Sequence, residues 1–204
     1  MPAPRVLLDA NVLIPLNPRD VILAAANTPA PLCRVFWTET ILAETERNFP
    51  KAIRRGDAAE KAVRATALVT ELRTTFPDAL IAGYEPLIEQ MQTTDPEDRH
   101  VAAAAAYAQV DAIVTFNVRH YPPITFDAMP LHPQVLTPDV FLMQLFGIAP
   151  TVLHARLQVQ EMRGKAYDPD VTVRRILERM APRLPQFVDA MIAWVDEQVR
   201  AEED

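Results

Sequence analysis

The sequence predicts an α/β fold, a three-layer α/β/α domain on a parallel sheet, followed by a C-terminal helical extension. Three observations predict it. Short apolar runs at Arg5 to Asp9, Cys33 to Trp37 and Ala112 to Phe116 have the composition of buried strands. Helix-start signals and long stretches of helix-forming residues lie between them. After Gly147 and Pro150 only helical patterns remain. Strands alternating with helices imply right-handed crossovers into one parallel sheet. The expected division is a main domain over 1–147 and a helical extension over 148–204.

The first strand, RVLLD, ends in Asp9 and places that carboxylate at the strand tip. Asn17, Pro18 and Asp20 supply a cap, a first-turn proline and an acid, so a helix should start there. CRVFW forms the next strand, and Thr38 can cap a helix running to about Phe49. From Asp57 to about Thr75 the residues are good helix formers with no interior proline or glycine. Ala79 to Tyr84 reads as a short strand or buried turn, followed by a brief helical piece to about Met91.

Asp95, Pro96 and Asp98 combine a cap, a first-position proline and a capping-box acid, predicting a helix from Pro96 to about Gln109. AIVTF then forms a strand buried on both faces. Prolines at 122, 123, 130 and 133 mark an irregular connection before a helix at Pro138 to Leu145. Three further helices are expected at about Thr151 to Arg163, Val171 to Met180 and Leu184 to Val199. Phe187, Met191, Trp194 and Val195 recur at helical spacing and are expected to pack on the main domain.

With 204 residues, half of them hydrophobic and 23% charged, the chain can bury a core of its own. No apolar run approaches a membrane span, and Met1 to Arg5 has no secretory character, so no membrane association and a cytoplasmic location are expected. The single Cys33 reads as a small buried residue. The net charge of −7 argues against nucleic-acid binding through a general positive field. A local basic strip at Lys51, Arg54, Arg55, Lys61 and Arg64 could hold a phosphate backbone or simply be a solvated helix face.

Ligands of an open parallel sheet collect beyond the carboxyl ends of its strands, where strand order reverses. Asp9 and Asn117 both fall there, and crossovers can bring Glu44 and Asp98 to the same edge. Oxygen donors without cysteine, and without a histidine cluster, favour magnesium or manganese over zinc. Such an ion activates water for in-line attack on phosphorus. A side-chain nucleophile has no support, since the chain contains no serine.

Each candidate has a plainer reading. Asp9 can start a turn with Asn11, Glu44 can be a solvated helical residue, Asp95 is better explained as a helix cap, and Asp98 can be its capping-box partner. His100 reads as a packed or surface residue of an alanine-rich helix. His120 could contact phosphate or move a proton, although a solvent-exposed position explains it as well.

In combination, LLDANVL at Leu7 to Leu13, WTETILAE ending at Glu44, DPEDRHVAAAA at Asp95 to Ala105 and VTFNVRHYP at Val114 to Pro122 resemble PIN-domain proteins in content and order. The resemblance covers about Arg5 to Leu145 and looks closest to the bacterial VapC toxins, one branch of which carries a similar helical tail. It implies a metal-dependent endoribonuclease with an RNA substrate, a cognate antitoxin and possible homodimerisation. Asp9, Glu44 and Asp98 would then hold Mg2+ or Mn2+, with Asn117 as a further catalytic position. Asn11, Thr115, His120 and Asp95 would be supporting residues. Asn117 and His120 stand where the wider family often has aspartates, which predicts a less acidic pocket and one firmly held cation. A non-catalytic RNA-binding or protein-interaction module, and a metal phosphohydrolase on small phosphate esters, are the alternatives.

Overall fold

The structure, a computed structural model, describes residues 2–127 and 129–203. Strands β1 (Arg5–Leu8), β2 (Arg34–Thr38), β3 (Leu80–Ile81), β4 (Ala112–Val114) and β5 (Gln134–Leu136) form one sheet ordered β3-β2-β1-β4-β5. All pairings are parallel. Leu7 lies opposite Phe36 on one side and Ile113 on the other, and Leu8 lies opposite Val114. The side chains of β1 from Val6 to Leu8 and all of β4 are buried, which explains their unbroken apolar character. Strand order reverses between β1 and β4, so the carboxyl ends of these two strands bound the crevice in which such sheets place their ligands.

The helices are α1 (Ala10–Leu13), α2 (Leu16–Ala26), α3 (Glu39–Ala52), α4 (Ala58–Thr75), α5 (Arg99–Ala108), α6 (Pro138–Ile148), α7 (Pro150–Gly164), α8 (Val173–Met180) and α9 (Pro185–Glu203). They divide between two compact units. The first comprises Met1–Pro15 and Cys33–Thr137, and the second comprises Leu16–Leu32 and Pro138–Asp204.

In the first unit, Thr38 ends β2 and caps α3, its Oγ1 accepting from the Ile41 N–H at 3.1 Å. Asp57 and Glu60 cap α4 reciprocally. Val101 to Ala105 of α5 are all buried, and the small alanine side chains allow that helix to sit close to its neighbours. Gln109 then takes a left-handed conformation (φ 50°) and stops the helix, its N–H donating back to Ala105 and Ala106 carbonyls. Cys33 is buried, and burial pushes its thiol up to about 12, in keeping with a packing role.

Several expectations change here. The helix expected from Pro96 is a 3₁₀ turn at Pro96–Asp98 followed by α5, because Asp95 caps the Glu97 N–H at 3.0 Å and tightens the first turn. The Ala79 to Tyr84 segment contributes only the two residues of β3, after which Gly83 (φ 85°) turns the chain into a 3₁₀ segment at Glu85–Gln90. The irregular proline-rich connection hides β5, held by Thr115 donating its N–H to the Leu136 carbonyl at 2.9 Å and Gln134 donating to Asp111 at 2.9 Å.

In the second unit, α9 packs against α6, α7 and α8 and buries Phe187 and Met191. That apolar face was expected to lie on the main domain over 1–147, and α6, nearly all of which falls within that span, is part of its cover, in a helical cluster that also includes α2, an element far away in sequence. Buried Asp139 on α6 caps α9, accepting from the Phe187 N–H at 2.9 Å and from the Gln186 N–H at 3.2 Å. No single helix among the described residues is long and apolar enough to cross a membrane.

Candidate active site

Asp9 follows β1 directly and is 4% exposed. Its N–H donates to the Val114 carbonyl at 3.1 Å, extending the β1–β4 pairing by one residue and fixing the carboxylate at the switch point. Asp9 Oδ2 accepts from Thr115 Oγ1 at 2.7 Å and from Asn11 Nδ2 at 2.6 Å. Asn11 Nδ2 also lies 3.0 Å from Thr115 Oγ1, while Asn11 Oδ1 accepts the Phe116 N–H at 3.0 Å. Thr115 Oγ1 in turn accepts the Asn117 N–H at 3.0 Å. Asn11 and Thr115 therefore support Asp9 through hydrogen bonds, and the turn with Asn11 coexists with a place in the site. Asn117 joins through its backbone.

Asp98 and His120 come from different loops. The Thr94 N–H donates to the His120 carbonyl at 2.8 Å, and Thr94 Oγ1 donates to Arg119 at 3.3 Å, stitching the segment before α5 to the 3₁₀ turn at Val118–His120. Asp98 Oδ2 then lies 2.5 Å from His120 Nδ1. Asp98 is the N-cap of α5 but makes no side-chain cap bond, so the capping-box role open to it goes unused. Asp95 does cap its turn and also belongs to the cluster, since ligating atoms of Asp95, Asp98 and His120 all lie within 4.8 Å of one another. His120 is half-buried and engaged rather than solvent-exposed.

Glu44 projects from α3, and His100 Nε2 of α5 lies 3.2 Å from its Oε1. His100, read from sequence as a packing or surface residue, thus contacts a candidate ligand. Its Nδ1 is buried without a hydrogen-bond partner.

Electrostatics link these groups. Burial pushes the Asp9 carboxyl up to about 6, with further increases from the charges of Asp98 and Glu44, while the bonds from Thr115 and the Ala10 N–H oppose the rise. Asp98 is also raised, chiefly by burial and then by neighbouring Asp95, against the stabilising contact with His120. The same carboxylates act on Tyr121, which is 7% exposed and makes no side-chain hydrogen bond. Sequence reasoning passed over Tyr121 because its hydroxyl signals nothing until burial and neighbours are known.

The charges of Asp98 and Glu44 on Asp9, and of Asp95 on Asp98, mark an anionic centre that a hard divalent cation would neutralise. This edge, on a sheet ordered β3-β2-β1-β4-β5, is an acidic site at the switch point of an α/β fold. The family model described as PIN domain matches residues 5–119, and the chain belongs to the PIN-domain family. The chain is also similar to a Mycobacterium tuberculosis protein named "Putative ribonuclease VapC50", at 33% identity over 119 residues, 56% of this chain and 67% of that protein. No solved structure matches the chain.

Proposed function

We propose that this chain is a divalent-cation-dependent endoribonuclease and the toxin of a toxin–antitoxin pair. The observation that carries the reading is Asp9, buried at the β1–β4 switch point and electrostatically coupled to Asp98 and Glu44. PIN-domain membership and likeness to a protein named as a ribonuclease support it.

The residues fit a magnesium or manganese ion. The donor set is rich in carboxylate oxygen, burial and like charge raise the Asp9 carboxyl, and Asp95, Asp98 and His120 bring ligating atoms within 4.8 Å of one another. Asp9, Glu44 and Asp98 would hold the ion, with Asp95 and His120 beside Asp98. When bound, it supplies a Lewis acid and lowers the pKa of a coordinated water.

The chain's own groups set the geometry. Thr115 and Asn11 hold one Asp9 oxygen in place, His120 fixes Asp98 through Nδ1, and His100 fixes Glu44 through Nε2. Asn117 lies beside this edge, tied to Thr115 by its backbone N–H. Exposed Lys51, Arg54, Arg55 and Arg64, with half-buried Lys61, lie where α3 ends and α4 begins. Because α3 also carries Glu44, this basic strip supports an RNA backbone running along that helix. The reading assigns the nuclease to 1–147 and a helical extension to 148–204, with a cognate antitoxin, a homodimer and a cytoplasmic setting.

The test is RNA cleavage with magnesium or manganese by the native chain, Asp9→Asn and Asp98→Asn. Cleavage only by the native chain is expected, and equal cleavage by all three would remove the proposed site. A small antitoxin encoded beside this gene and co-purifying with the chain is the expected sign of the toxin role.

A further inference from the structure

Tyr121 follows the 3₁₀ turn at Val118–His120, and its N–H closes that turn by donating to the Val118 carbonyl at 3.1 Å. Its side chain is 7% exposed, yet its hydroxyl has no hydrogen-bond partner among the described residues. Tyr84, the other buried tyrosine among the described residues, has its Oη 3.0 Å from Thr40 Oγ1. A buried polar group without a partner keeps the full cost of its lost hydration, so an orphaned hydroxyl in a native protein points to a partner that the working state supplies.

The surroundings say what kind of partner. Asp9, Asp98, Glu44 and Asp95 all act on the phenol, and burial together with these anions holds the proton on it. The hydroxyl is therefore an unpartnered donor on the residue that follows His120, and the acids of this site are engaged elsewhere: Asp9 with Thr115 and Asn11, Asp98 with His120, and Glu44 with His100. A hydrated divalent cation brings oxygen acceptors of its own, since magnesium and manganese retain several waters when held by carboxylates.

We infer that Tyr121 is a positioning residue whose Oη donates a hydrogen bond to a water of the hydrated cation in the acidic pocket, orienting that water relative to Asp9 and Asp98. The inference rests on the cation-dependent reading above and adds a residue to it. No bond is made or broken by Tyr121, and its proton stays on the phenol.

The test compares the native chain with Tyr121→Phe, which keeps the buried ring and removes only the hydroxyl. After chelation, each is titrated with manganese by calorimetry and followed in the near-ultraviolet tyrosine band. Binding to Tyr121→Phe should be about three- to tenfold weaker, the loss of one hydrogen bond. Its cation-free melting temperature should be equal to or above the native one. The native tyrosine band should shift on titration, and that shift should vanish in the variant.

Equal manganese affinities with no spectral shift would overturn the inference while leaving the nuclease reading intact. A lower melting temperature with unchanged affinity would also overturn it, because the hydroxyl would then serve packing alone. Should the variant fail to fold, the native spectrum decides: an unmoved tyrosine band on manganese binding sinks the idea. Absence of manganese binding by the native chain would remove the cation-dependent reading itself, and the inference with it.

Discussion

His120 Nδ1 lies 2.5 Å from Asp98 Oδ2, joining the turn after β4 to the start of α5. This contact does for Asp98 what Thr115 does for Asp9: it holds one carboxylate oxygen while acidic neighbours crowd the site. His120→Ala should weaken manganese binding about tenfold, the usual scale for losing a group that orients a metal ligand. His120→Asp should bind manganese more tightly than the alanine variant and melt at a lower temperature without it, because a like charge is placed against Asp98. Calorimetry and thermal unfolding on both variants check this, and equal affinities in the two would refute it.

Asp9 sets the pH dependence. Its folded pKa is raised from 3.8 to about 6, so between those values the folded chain holds a proton that the unfolded chain has released. Stability of the cation-free protein should therefore fall as pH rises from about 4 through about 6 and then level, as far as Asp9 contributes. Manganese affinity should rise over the same range, since the ion competes with that proton. Asp9→Asn should remove both slopes and stabilise the cation-free chain at neutral pH by on the order of 3 kcal/mol, given ~1.4 kcal/mol per pKa unit over the rise from 3.8 to about 6. Thermal melts at several pH values, with and without manganese, are the measurement.

Thr115 is fully buried, and its hydroxyl serves Asp9, Asn11 and the Asn117 N–H together. Thr115→Val preserves shape but strands those partners, so a loss of about 1 to 3 kcal/mol in denaturant unfolding is expected. Removing the bond that holds the Asp9 pKa down should also move the rise in manganese affinity to higher pH. A valine variant as stable as the native chain, with an unmoved pH profile, would contradict this role.

Asp139 tests the second unit separately. Its buried carboxylate caps α9 through Gln186 and Phe187, so Asp139→Ala should cost about 1 to 2 kcal/mol, as a lost helix cap does. Manganese affinity at Asp9 should stay within twofold of native. Loss of metal binding at native-like stability would break the separation of roles between the units.

Much of the fold was legible because β4 and β1 from Val6 to Leu8 are short, apolar and buried, because Thr38 announces α3 by local capping chemistry, and because α4 is an unbroken run of helix formers. β5 was not, since three residues among prolines carry too little pattern, and its existence depends on the edge that β4 offers. Asp9, Asn11 and Thr115 could be named from motif order. Local spacing could not decide between capping and other roles for Asp98, because both use the same residue at the same position.

The sequence by itself determined the strand tips and helix caps, and with them the edge at which Asp9, Glu44 and Asp98 should be sought. Only the tertiary structure decided that His120 engages Asp98, that His100 engages Glu44, and that the Tyr121 hydroxyl is buried without a partner. It likewise placed α2 with the C-terminal helices. The physical reason is range. Caps and strand patterns are written within a few residues, whereas burial and like-charge repulsion depend on groups that the chain brings together from segments tens of residues apart.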